Sequence, residues 1–182
     1  MAVILEDTRQ KIGKHDRKRA YFCSIGLEIV RKKLDFGDYM TENGSVSVDT
    51  KRDVSELVEN VTREHERFSR ELRGARDAGL RLVVLVESPF VRDLDGLARS
   101  LNPVCLRCQR RRTGMCDPRS DASCGRYRRH PARMSTVART VGTMARLSGA
   151  EFEFVSPAES GPRICELLGI SSGGLHGARD DR

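Results

Sequence analysis

A chain of 182 residues with 38% apolar and 32% charged residues can bury one core while keeping much of its surface solvated. Its formal charge of +7 points to a polyanionic partner, nucleic acid first and an anionic membrane surface second. No run of about 18 apolar residues occurs, which excludes a membrane-spanning helix, and Ala2 to Leu5 is too short for a signal sequence. A cytoplasmic location with reduced cysteines is therefore expected.

In chain order, Ala2 to Leu5 reads as a buried strand ending in Glu6-Asp7-Thr8-Arg9. Lys11 to Ser24 reads as a basic helix with Ile12, Ala20, Phe22 and Cys23 on its apolar face, stopped by Gly26. Leu27 to Leu34 is a strand. A hairpin follows: Asn43-Gly44 suits the positive φ of a tight turn, and Ser45 to Val48 alternates. From Asp53 to Ala78, apolar residues recur every three or four positions, which predicts one long helix capped by Asp53 and Glu56 and ended by Gly79. Leu80 to Glu87 is rich in β-branched residues and reads as a central strand buried on both faces. Asp93 to Ser100 is a short helix and Ser135 to Leu147 a longer one, with Val137, Val141, Met144 and Ala145 inward. Phe152 to Val155 is a strand and Pro157 to Leu168 a last helix; Ser171 to Arg182 reads as a disordered tail. The order predicts an α/β sandwich with a mixed sheet, one domain over residues 1–170.

Asp7, Asp38, Asp49 and Glu87 all fall at or near strand ends. Asp49 and Lys51, two apart, share one face of their strand, and the hairpin can bring Asp38 beside Asp49. An isolated Asp-x-Lys is most often an exposed ion pair. Two acids and a lysine converging at strand ends instead suit a divalent cation, Mg²⁺ or Mn²⁺, held by carboxylates with the Thr50 carbonyl as a further oxygen. Lys51 would then orient the attacking water or stabilise phosphate charge. His65 sits in register with Val61 and Phe68, either as a buried histidine satisfied by a neighbour or as a phosphate contact.

Residues 102–130 break the periodicity and read as an insertion. Cys105, Cys108, Cys116 and Cys124 could form a closed structural Zn²⁺ site, with His130 as a substitute ligand, and zinc would fold a segment this poor in apolar residues. Arg110, Arg111, Arg112, Arg128 and Arg129 make this segment the most basic and, with Arg9 and His65, are candidate nucleic-acid contacts. Cys23 and Cys165 read as core thiols.

Gly37-Asp38-Tyr39, Val48-Asp49-Thr50-Lys51, the helix after them and Leu82 to Glu87 together resemble the XPF-type nuclease domain of the PD-(D/E)xK superfamily, and Leu5 to Arg9 resembles its first strand. The resemblance covers residues 2–100, and Thr136 to Leu168 is similar to the C-terminal part of small bacterial and prophage-encoded members. It implies a three-layer restriction-endonuclease-like fold and a Mg²⁺-dependent endonuclease acting on branched or single-strand-containing DNA in repair, recombination or mobile-element processing. It also implies Asp38, Asp49 and Lys51 as catalytic residues, Asp7 and Glu87 as further metal ligands, and admits a homodimer. The family's Glu-Arg-Lys is here Asp-Thr-Lys, and no helix-hairpin-helix segment follows. The competing reading is an inactive nuclease-like module that binds DNA or assembles around a structural zinc; an RNA substrate is a third.

Overall fold

The protein is described by a computed structural model over residues 2–9, 16–119, 121, 124, 125 and 131–170. The expected tail, His130, Arg128, Arg129 and the first residues of the expected Lys11 helix lie outside the described residues.

The described strands form one sheet in the order β2-β1-β3-β4-β5-β6. Strand β1 (Val3–Asp7) pairs parallel with β2 (Glu28–Lys32) and antiparallel with β3 (Tyr39–Met40). Strand β3 runs antiparallel to β4 (Val46–Lys51), which is followed in parallel by β5 (Arg81–Glu87) and β6 (Glu151–Val155). The sheet is mixed, as the sequence predicts.

Alternation along β5 explains the layering. Leu82, Val84 and Val86 enter one core with Leu57 and Val61 of α2 (Val54–Thr62), Phe68, Leu72 and Ala75 of α3 (His65–Asp77), and Val137 and Val141 of α7 (Met134–Ser148). Val83 and Leu85 enter a second core on the opposite face, with Phe22 of α1 (Asp16–Ser24) and Ile164 of α8 (Ser160–Leu167). Helices thus cover both faces of a six-stranded sheet. Each such Leu, Val or Phe fully removed from water contributes about 1.5–3 kcal/mol. Between β5 and α7 lie the short helices α4 (Leu94–Arg99), α5 (Pro103–Leu106) and α6 (Gln109–Arg112). Residues 102–119 of the expected insertion thus hold no more than two single turns, α5 opened by an Asn102 side-chain cap.

Several expectations are corrected. The long helix is two: Asp53 caps α2 as predicted, but the chain breaks at Arg63-Glu64 before α3. Between Val61 and Phe68 no apolar side chain anchors the helix, so nothing holds a continuous register there. His65 consequently starts α3 exposed rather than lying on its buried stripe. Strand β2 is an exposed edge strand carrying Glu28, Arg31 and Lys32, shorter than the expected 27–34. Cys23 is exposed, because α1 buries Lys18 and Phe22 instead; Cys165 is buried as expected. The hairpin forms, but Gly44 has no positive φ. It is needed because a Cβ there would lie 2.3 Å from Thr41 Oγ1.

Candidate active site

Hydrogen bonds across three neighbouring strands set the acids side by side. The Asp7 N–H donates to the Asp38 carbonyl at 2.9 Å, and the Asp38 N–H donates to the Val48 carbonyl at 2.8 Å. Gly37, at φ +71°, lets the chain approach β4 so closely that a Cβ would lie 2.3 Å from Ser47 Oγ. Asp38 follows immediately and receives two hydrogen bonds at Oδ2, from the Thr50 N–H (2.9 Å) and the Thr50 hydroxyl (2.5 Å).

Asp49 and Lys51 project from the same side of β4, as their spacing predicts, and their charged ends meet at 2.7 Å. Lys51 Nζ also lies 5.1 Å from the centre of the Phe68 ring, whose negative face favours a cation. Asp7 is held by Arg9 at 2.5 Å, and Arg9 reaches on to the Leu34 carbonyl at 2.7 Å. Asp7, Asp38, Asp49, Lys51 and Arg9 all border one cleft of about 540 Å³, whose other wall is α3.

That wall supplies Glu71 and Arg70, which the sequence alone does not single out, and Arg67, for which the sequence favours a solvated position over a phosphate contact. Glu71, Arg67 and Arg70 also border the cleft. Glu71 is three residues after Phe68, at the margin of the stripe Phe68-Leu72-Ala75. A carboxylate at the edge of the buried stripe of the helix that packs against the lysine strand was the available signal; treating residues 53–78 as one helix hid it.

The electrostatics are those of a crowded acidic site. Burial pushes Asp38 up to about 7, helped by the charge of Asp49 and only partly offset by the Thr50 hydrogen bonds and Lys51. Glu71 is raised by burial and then by Asp49. Burial works against the Lys51 ammonium, but Asp49, Asp38 and Glu71 outweigh it and hold its pKa above the ordinary lysine value.

Glu87 is not brought to this cleft. It forms a close ion pair with Lys18 of α1, and strand alternation puts it on the same sheet face as Leu85, opposite Val86. Glu6, beside Asp7, likewise pairs with Arg19 at 2.6 Å. Arg110, Arg111 and Arg112 stand on α6 and do not border the cleft, whereas Arg9 does. His65 is one turn before Ser69, bordering a separate groove. Cys105, Cys108, Cys116 and Cys124 border one small cavity of about 10 Å³, and burial with the neighbouring Cys124 and Cys108 raises the Cys105 thiol. Among the described residues no three His, Cys, Asp or Glu side chains converge closely enough, as they stand, to hold a metal ion. Asp7 and Asp38 are instead turned to protein donors, Arg9 and Thr50, and Asp49 to the charge of Lys51.

No family model and no curated protein matches the chain. Solved structures match its fold. XPF from Aeropyrum pernix superposes on 95% of the chain with a TM-score of 0.59 and 16% sequence identity. XPF from Aeropyrum pernix in complex with DNA superposes on 94% with a TM-score of 0.57 and 14% identity. The chain spans 66% of the length of each. It therefore has the mixed α/β fold of the XPF nuclease, and none of its helices is long and apolar enough to cross a membrane among the described residues.

Proposed function

We propose that the chain is a divalent-metal-dependent endonuclease of the XPF type, cutting DNA that is branched or carries single-stranded regions. The observation that carries this reading is the convergence of Asp7, Asp38 and Asp49 from three adjacent strands on one cleft, with Lys51 beside them. The donor set fits Mg²⁺ or Mn²⁺. Its oxygens are hard, and three carboxylates, Asp7, Asp38 and Asp49, border the cleft with Asp38 buried beside the charge of Asp49. Asp38 and Asp49 would hold the ion, with Asp7, Glu71 and the Thr50 carbonyl as further oxygen ligands. When bound, the ion supplies Lewis-acid polarisation of the phosphodiester and a more acidic attacking water.

Lys51 keeps its proton, because the surrounding carboxylates raise its pKa. Its role is then to orient water and to meet the charge growing on the phosphate, not to remove a proton. Arg9 and Arg70, at the rim of the cleft, would position the strand through its phosphates. Hydrolysis adds the oxygen of water to phosphorus and expels a sugar oxygen, which takes up a proton. Four thiols around one small cavity suit a structural Zn²⁺, which would hold α5 and α6 in place.

The test is cleavage of a panel of flaps, forks, four-way junctions and plain duplex with Mg²⁺. Asp49→Ala and Lys51→Ala should each lower the rate by about 10²–10³. If both cut as well as the parent, the assignment is wrong. The second reading, an inactive DNA-binding or assembly module, draws on the Asp-Thr-Lys sequence and on the protein partner each acid already has. Calorimetric titration separates the two: no Mg²⁺ or Mn²⁺ binding that depends on Asp38 favours the module.

A further inference from the structure

Besides the catalytic cleft, a groove of about 970 Å³ lies between α3 and α7. Resting on the nuclease reading above, we propose that this groove carries a single-stranded extension of the DNA substrate as it leaves the cleft.

The two cavities share one wall residue, Arg70, which borders both. The groove is basic: His65, Arg70, Arg73 and Arg139 face it against one acid, Glu66. Helix α7 has no acidic residue anywhere along its length. Within α3 the arginines divide by face. Arg67 and Arg76 are held in ion pairs with Glu64, Glu71 and Asp77. Arg70 and Arg73, which border the groove, are in no ion pair among the described residues, and neither is Arg139 across it. Charges that a folded protein leaves unneutralised along one concave path are suited to a row of phosphates.

The remaining lining suits one strand rather than a duplex. Axes of packed helices lie about 8–10 Å apart, so the space above them admits a single chain of nucleotides. Leu147, 65% exposed, offers an apolar contact for sugars and base faces, with Leu72 and Met144 buried beneath it. Thr136 and Thr143 place hydroxyls along the α7 side. No aromatic residue lines the groove, so binding there rests on phosphates more than on stacking, with weak sequence preference. From His65 to Arg73 the helix runs about 12 Å, the axial span of roughly three to four nucleotides.

The test uses the full chain and fluorescently labelled duplexes carrying single-stranded tails of zero, two and ten nucleotides. Binding is read by anisotropy in EDTA, where no cleavage occurs, across a range of salt. The double reversal Arg73→Glu with Arg139→Glu is compared with a reversal of equal charge outside the groove, Arg17→Glu with Arg146→Glu. All four side chains are exposed, and circular dichroism melts verify folding. Against the control pair, the groove pair should bind the ten-nucleotide tail at least tenfold more weakly and flatten the salt slope by about two. The gap should shrink as the tail shortens. Equal weakening by both pairs, or a groove effect indifferent to tail length, overturns the proposal. So does a concentration-dependent dimer that the groove pair abolishes with no change in DNA binding, which would make a second copy the occupant. Cleavage that needs Lys51, with no groove effect, rejects the groove alone. Groove-dependent binding without metal-dependent cleavage rejects the nuclease reading alone.

Discussion

Asp38→Asn should stabilise the metal-free protein in alkaline solution while abolishing cleavage. Asp38 is 5% exposed, and burial with the nearby charge of Asp49 lifts it from 3.8 to about 7. Between those two values the folded chain binds more protons than the unfolded chain, so stability falls as pH rises. The penalty grows from zero in acid to about 4 kcal/mol above pH 7, at 1.36 kcal/mol per unit of pKa. Between pH 5 and pH 8 the change is roughly 2–3 kcal/mol. An asparagine oxygen can still accept from Thr50 but carries no charge beside Asp49. Urea unfolding followed by circular dichroism in EDTA at pH 5, 6, 7 and 8 measures this directly. The variant should gain on the parent by roughly 2–3 kcal/mol between pH 5 and pH 8. Added Mg²⁺ should stabilise the parent more at pH 8 than at pH 5 and leave the variant nearly unmoved. Identical pH dependence in parent and variant would refute the account of Asp38 as a buried, strained carboxyl.

Four further outcomes follow from the same structure. Gly37→Ala combines a φ of +71° with a Cβ placed 2.3 Å from Ser47 Oγ, so it should cost about 2 kcal/mol or more. That corresponds to a melting point lower by about 4–8 °C; an unchanged melt would contradict the close approach. Lys18→Met leaves the largely buried Glu87 without its cation and should cost about 3 kcal/mol, partly restored by adding Glu87→Gln. Glu87→Gln alone should retain Mg²⁺-dependent cleavage, unlike Asp49→Asn; equal loss of activity in both would return Glu87 to the catalytic set. Metal analysis of protein purified without chelator should find about one equivalent of zinc, largely lost in Cys105→Ser, and less than about half an equivalent in the parent counts against the zinc site.

Much of this was legible because short-range rules governed it. Period-two alternation placed Asp49 and Lys51 together, and the Asp53 cap and the β-branched run of β5 marked their elements. What escaped depended on tertiary contacts. Glu87 lies at the end of the central strand, as expected, but the face it takes is set by its step from Val86, and Lys18 of a distant helix claims it. The break after Thr62 rests on a missing apolar anchor, a weak signal inside an otherwise strong period, and with it went Glu71, Arg70 and the true position of His65. Cys23 was misplaced because α1 buries the stem of Lys18 in its stead, and a long basic side chain can serve an apolar face when its charged end finds a carboxylate.

The two faces of the sheet treat their acids differently. On the α1 face, Glu6 and Glu87 each have a dedicated cation, Arg19 and Lys18, so their charge is spent on holding a helix against the sheet. On the α3 face, Asp7, Asp38, Asp49 and Glu71 border one cleft with a single buried cation, Lys51, and with arginines that stand at the solvent rim. Asp38 carries the consequence. Its carboxyl accepts hydrogen bonds from Thr50 yet is still raised to about 7, because burial, with the charge of Asp49 beside it, outweighs those bonds and Lys51. Under the nuclease reading proposed above, a small divalent cation bound in this cleft would relieve that crowding of carboxylates.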